Sequence, residues 1–206
     1  MSYNKFKKLD QVRQQLSLFI SSGASLFAET PEVAPGEHLR QTLRENVPLA
    51  LNINSEKARS EMIVAPVLIE TRRAMNRGVS LFSGLDFDVD RTQGLNGYCD
   101  FLISNSPNQV FIEAPVVCLV EAKKESLQSG YPQCIAEMVA AQLFNKQHGR
   151  PLQYVLGVVT MGSEWKFLTL RDKTVFIDFD DYHISQVAKI LGILVAALHD
   201  NATPKV

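Results

Sequence analysis

The residues best equipped for chemistry are Glu121 and Lys123, at the end of Val116-Val117-Cys118-Leu119-Val120-Glu121-Ala122-Lys123. Five apolar residues running into an acid, a small residue and a base predict a strand buried on both faces. Side chains alternate along a strand, so the carboxylate and the ammonium point the same way, about 6.6 Å apart at about 3.3 Å rise per residue. Charged groups at the end of a buried strand are costly unless paired. A surface salt bridge where the strand leaves the core would pair them. So would a wet cleft that holds a cation and an anionic substrate.

A third group belongs with these two. Gly97-Tyr98-Cys99-Asp100-Phe101-Leu102-Ile103-Ser104 reads as a further strand with one acid inside it. Asp100 precedes Glu121 by 20 intervening residues, the scale of two adjoining strands and their connection. Asp100 followed by Glu121-x-Lys123 resembles the PD-(D/E)xK nuclease superfamily, over residues 55 to 180. The resemblance implies a restriction-endonuclease-like α/β fold, with a central mixed β-sheet flanked by helices. It implies that Asp100 and Glu121 bind Mg²⁺, with Mn²⁺ as a substitute, and that Lys123 serves catalysis. Such proteins often donate a further acid from a helix ahead of the first core strand, for which Glu61 is the candidate, with Glu56 behind it. The alternative for Glu61 is a solvated helix acid paired with Lys57. They also commonly place a glutamine on the helix after the lysine. Gln133, ten residues after Lys123, matches that place, and Gln142 is second.

The chemistry agrees with these residue types. Phosphodiester hydrolysis needs an activated water and relief of charge on the phosphoryl oxygens. Mg²⁺ takes hard oxygen ligands, often one or two carboxylates with waters and substrate, and the carbonyl of Ala122 is a third oxygen within reach. Lys123 would orient or help deprotonate the water and stabilise the transition-state charge. A metal beside it would disfavour its ammonium form.

Around this site the chain divides into a helical N-terminal extension (1–54), a core (55–180) and a C-terminal helix (181–206). Residues 4–20 carry apolar side chains at helical spacing, Ser21 to Gly23 reads as a stop, and Thr30 to Gly36 as a linker. A short helix, Glu37 to Asn46, precedes Pro48. Asn54 or Ser55 caps a helix over Glu56 to Met75, bent at Pro66. Leu81 to Asp90 predicts a strand with Asp86, Asp88 and Asp90 on one face. A calcium loop is excluded there, because Arg91 stands where glycine is needed and Gly97 where a bidentate Glu is needed. The solvated face is the better reading, although one of these acids could replace Asp100 as the first acid. Residues 98–104 and 110–123 follow as strands, and a helix opens at Gly130-Tyr131-Pro132 and runs to Lys146. Leu152 to Thr160, Trp165 to Leu170 and Thr174 to Phe179 read as strands. A helix over Ser185 to His199 is apolar around most of its circumference, which predicts burial by the domain or by a second copy, and hence a homodimer through this helix.

Composition bounds the function. The chain has 206 residues, 46% apolar and 21% charged, with net charge −1, as for one ordinary globular domain. No global basic field advertises nucleic-acid binding. Lys146, His148 and Arg150, or Arg72, Arg73 and Arg77, could touch phosphates, though solvated charge explains both groups. Cys99, Cys118 and Cys134 are an odd, widely spaced set in apolar context, as expected of buried thiols in a reducing, cytoplasmic setting. No secretory leader or membrane span is expected. Phosphate-loop, His-Glu-x-x-His and Gly-x-Ser-x-Gly patterns are missing, and the four histidines are isolated. The expectation is a Mg²⁺-dependent nuclease acting on DNA. The alternative is an inactive module of that fold binding nucleic acid or a partner protein.

Overall fold

The computed structural model describes residues 2–201. Its elements are α1 (Leu9–Gln15), β1 (Phe19–Ser22), α2 (Glu37–Ile53), α3 (Glu56–Arg59), a π turn (Ser60–Val64), α4 (Ala65–Ala74), β2 (Ser80–Asp86), β3 (Tyr98–Ser104), β4 (Val116–Ala122), α5 (Leu127–Gln147), β5 (Val155–Thr160), β6 (Glu164–Arg171), β7 (Thr174–Ile177), β8 (Tyr182–His183) and α6 (Val187–Asp200). One mixed sheet of eight strands runs β1-β7-β6-β5-β4-β3-β2, with β8 against β6. The β4–β5 and β1–β7 pairs are parallel, and the remaining pairs are antiparallel.

Two apolar layers sandwich the sheet. One joins α2, α4 and α6 through Leu39, Leu68 and Ile193 to Val120 and Val158. The other joins α1 and α5 through Val12, Ile135 and Met138 to Leu119 and Val159. Every residue of β4 is buried, as its continuous apolar run requires. The antiparallel β2-β3-β4 unit is followed by α5, which crosses back so that β5 lies parallel to β4. Parallel neighbours need such a crossover.

Several local expectations are corrected by long-range packing. The predicted N-terminal helix is only α1, and Phe19–Ser22 pairs with β7 as an edge strand of the sheet. The 1–54 segment is therefore woven into the domain. The α2 helix continues through Pro48 to Ile53. One main-chain donor is lost there, but Leu43 and Ala50 on either side are buried in the core. The Glu56 to Met75 helix forms, capped by Ser55 Oγ on Ala58 N–H at 3.1 Å, and a π turn rather than a simple bend accommodates Pro66. The Met62 carbonyl, four residues before Pro66, instead accepts from Asn46 Nδ2 at 3.0 Å.

The β2 strand stops at Asp86, and β4 starts at Val116 rather than residue 110. The α6 helix is covered within the chain: Ile190, Leu191, Ile193 and Leu194 are buried in the core, and the Pro31 carbonyl packs on Gly192. The domain itself thus supplies burial for this part of the helix, the first of the two expectations for it. All three cysteines are free and buried. Among the described residues no helix is long and apolar enough to cross a membrane. Residues 202–206 of the predicted C-terminal segment lie outside the described residues.

Candidate functional site

The end of β4 carries the site. Lys123 extends that strand, its N–H donating to the Thr160 carbonyl of β5 at 2.8 Å, so its backbone is anchored on the neighbouring strand. Ser126 then caps α5, its Oγ accepting from Ser129 N–H at 3.2 Å. The first turn of α5 lies directly against Lys123. A Cβ on Gly130 would fall 2.5 Å from Val159 Cγ1 and 3.1 Å from Lys123 Cγ. Glycine is what allows the helix to approach the strand here.

Glu121 and Lys123 form an ion pair through Nζ and Oε1. Gln133, one helical turn beyond Gly130, closes the group: its Nε2 donates to Glu121 Oε2 at 2.9 Å, and its Oε1 accepts from Lys123 Nζ at 3.3 Å. The Glu121 side chain is 1% exposed and that of Lys123 is 20% exposed. On β3, Asp100 Oδ2 accepts the main-chain N–H of Ala122 at 2.8 Å, bridging the two strands at the level of the pair. The residues predicted from sequence on β3, β4 and α5 are thus brought together. Gln142 lies elsewhere, in the wall of a separate cavity near Leu16 and Lys173.

Glu61 is placed differently. It pairs with Lys57 at 3.6 Å, and both side chains are well exposed, as the solvated-acid alternative held. It lines a cleft of about 300 Å³ with Glu56, Lys57, Ser83, Asp100 and Ala122. The helix bearing it is tied to the β5–β6 turn by Arg59, whose Nη1 donates to the Met161 carbonyl at 2.7 Å. Of Glu56 and Glu61, Glu56 is the one whose charge acts on Lys123.

One participant escaped the sequence reading. Glu137, on the same face of α5 as Gln133, has a buried side chain whose Oε1 accepts from Gln133 Nε2 at 3.2 Å. Its Oε2 has no hydrogen-bond partner among the described residues. The signal was the Gln133–Glu137 spacing of four within the otherwise apolar stretch 133–141, which appears in sequence only as a polar pair in the core stripe.

Three acids and one ammonium share this space, and their protons follow from it. Burial pushes Glu121 up to about 8, the charge of Asp100 adds to this, and Lys123 opposes it. Burial also raises Asp100, against the Ala122 N–H and Lys123. Glu137 is held well above the carboxylate range, first by burial and then by Glu121. Burial works against the Lys123 charge, but Glu121 outweighs it, with Glu56 and Asp100 contributing, and the ammonium is held above its usual range. Glu121 has the ammonium as a direct partner and Glu137 has no cation among the described residues, so Glu137 is the acid more strongly held in its protonated form.

The donor set suits a hard divalent ion only in part. Asp100 keeps Oδ1 available, whereas both oxygens of Glu121 are engaged by Lys123 and Gln133. Among the described residues no group of three or more His, Cys, Asp or Glu side chains is gathered as a metal cluster, so Glu61 does not join Asp100 and Glu121 as the predicted third ligand. Two carboxylates whose charged forms are disfavoured by burial and by each other are nonetheless what a divalent cation relieves.

The acids of the β2–β3 connection behave as a solvated face. Asp88 bonds Arg91 and the Gly97 N–H, and Asp90 bonds Thr92 and Gln93. The basic clusters are also locally engaged: Arg72 donates to the Val79 carbonyl, Arg73 pairs with Glu70, and His148 stacks on Phe144. Compared with known proteins, the chain matches no family model, and no curated protein matches it.

Proposed function

We propose that this protein is a divalent-metal-dependent nuclease of the PD-(D/E)xK type, with a restriction-endonuclease-like core, acting on DNA. The observation that carries the reading is the contact of Glu121, Lys123 and Gln133 at the end of a buried strand, with Asp100 hydrogen-bonded across from the adjoining strand. A fold has little reason to bury an acid–base pair at a strand end unless the site is used, because apolar side chains of the same volume are often as stabilising or more so. The order α4-β2-β3-β4-α5-β5 supports the same reading, since it sets all four side chains at one end of the central strands.

Asp100 and Glu121 would hold Mg²⁺ or Mn²⁺, which when bound activates water and relieves phosphoryl charge. Glu121 must then release part of its contact with Lys123 and Gln133. Lys123, freed to face the reacting phosphate, orients the attacking water and stabilises developing negative charge through Nζ. Gln133 Oε1 steadies that ammonium from the α5 side. The cleft beside Asp100 and Ala122 is the route of approach for the scissile phosphate, with Lys57 on its wall.

Two observations favour a second reading, a non-catalytic module of the same fold that binds nucleic acid or a partner protein. Both oxygens of Glu121 are already satisfied inside the protein, and the chain carries a net charge of −1. Incubation with single-stranded, double-stranded, branched and flapped DNA, with Mg²⁺ and then Mn²⁺, separates the two. Cleavage that disappears in Glu121→Ala and Lys123→Ala is expected. Cleavage that survives both, or none on any substrate, sinks the enzyme reading.

A further inference from the structure

An acid at the centre of an apolar helix face needs a cause. Glu137 is 0% exposed, and its helical neighbours Cys134, Ile135, Ala136, Met138, Ala140 and Ala141 are all buried beside it. An apolar residue of similar volume would fill the space without the desolvation cost. Among the described residues its Oε2 has no hydrogen-bond donor, its Oε1 accepts from Gln133, and the neighbouring carboxyl that acts on it most is that of Glu121.

That bond bears on an ambiguity in the site. A glutamine amide can be turned end for end at almost no cost in shape, so only its hydrogen bonds decide which way it points. In one orientation the Gln133 NH₂ group donates to Glu121 Oε2 at 2.9 Å and Glu137 Oε1 at 3.2 Å, and Oε1 faces Lys123 Nζ at 3.3 Å. In the reverse orientation a carbonyl oxygen would face the Glu121 Oε2 acceptor, and an NH₂ group would face an ammonium. With Glu137 present, both amide hydrogens have acceptors, and the reversed state loses at Glu121 and at Lys123. Without it, one amide hydrogen is buried unsatisfied, and Gln133 can swing away from the Glu121–Lys123 pair.

We propose that Glu137 is a positioning residue that locks the Gln133 amide in the orientation presenting its carbonyl to Lys123 and its NH₂ to Glu121. The spacing of four on α5 stacks the two side chains on one face of the helix, and helix rigidity makes the lock independent of substrate. Its effect on turnover rests on the nuclease reading, whereas its effect on the amide does not.

The test uses the full chain and two kinds of substitution. Glu137→Gln keeps a carbonyl acceptor toward Gln133, and Glu137→Met keeps the volume without one, with Glu137→Leu as a second apolar form. The readout is the side-chain NH₂ pair of Gln133 in ¹⁵N–¹H spectra, assigned by its loss in Gln133→Met. In wild type and Glu137→Gln the two protons should be dispersed and protected from solvent exchange. In the apolar variants the pair should move toward the position of a free amide and exchange about tenfold faster or more, as one local hydrogen bond is removed. An unchanged Gln133 pair in a folded apolar variant overturns the proposal. So does failure of both apolar variants to fold while Glu137→Gln folds, because the role is then structural. Where wild type cleaves DNA, Glu137→Met should lower kcat about tenfold or more with KM little changed, and Glu137→Gln should restore it. Absence of cleavage in wild type removes the nuclease reading and leaves the amide measurement to decide the lock.

Discussion

Two acidic stretches of this chain are candidates for binding a cation when read along the sequence, the β4 end ahead of the β2–β3 connection, and they have opposite fates. In the β2–β3 connection, Asp88 and Asp90 find partners within nine residues: Arg91, Thr92, Gln93 and the Gly97 N–H. Hydrogen bonds from those neighbours hold both carboxyls below their ordinary range, Asp90 at about 2. At the end of β4, Glu121 has only Lys123 close in sequence. Its other contacts come from α5 and from Asp100 on β3, and burial drives its carboxyl up to about 8. An acid satisfied by its own turn is a piece of local structure. An acid buried against other acids from distant elements stores electrostatic cost, which a bound cation or a developing charge can release.

The largest expected difference between the two regions is in cleavage. Lys123→Ala should reduce hydrolysis by about 100-fold or more, as for loss of a positioned base or charge stabiliser, while leaving metal binding intact. Asp88→Asn should leave the rate unchanged. Equal losses in the two variants, measured with the same preparation and substrate, would erase the comparison. The next effect concerns access of α5 to the site. Gly130→Ala puts a methyl against Val159 and Lys123 and should cost about 1–3 kcal/mol of stability by overpacking, with a matching fall in melting temperature. A neutral result would mean that α5 has freedom to recede from β4.

Metal should act on one region alone. Mg²⁺ or Mn²⁺ at about 100 times its dissociation constant should stabilise wild type by about 2.7 kcal/mol through mass action on the native state. The gain should vanish in Asp100→Asn and Glu121→Ala, and should persist in Asp90→Asn. A thermal shift that follows Asp90 instead would move the cation site to the hairpin.

The pH response carries opposite signs in the two places. The folded-state value for Glu121 lies above its usual 4.5, so its protonated form favours the native state. With metal chelated, that contribution is complete below about 4.5 and is lost as pH rises through about 8. The melting temperature of Glu121→Gln should therefore fall less than that of wild type over this interval. Asp90 is depressed: its contribution is present above the ordinary aspartate value and is lost as pH falls toward about 2. Asp90→Asn should flatten that acid limb slightly, the smallest change expected. Reversed slopes in chelated wild type would show that the Glu121–Lys123 pair, rather than burial, governs the acid.

The strength of β4 and β3 and the Glu121-x-Lys123 pair were legible in the sequence, because each depends on neighbours a few residues away, whereas the start of α5 was read at Gly130 and lies at Leu127. Alternation and apolar runs determine strands, and Ser126 Oγ, unread in the sequence, accepts the Ser129 N–H at the start of the helix. Tertiary structure alone decided the rest. Phe19–Ser22 became a strand because β7 offered an open edge, and α2 runs past Pro48 because its flanking residues are buried. Gln133 rather than Gln142 reached the site because the start of α5, not its end, lies against Lys123. Glu61 turned to Lys57 because its helix faces solvent there. The protonation of Glu137 and the raised acid at Glu121 follow from desolvation and from charges that arrive on three separate elements. Those are long-range quantities, fixed by where the chain folds back, and no local pattern of residues encodes them.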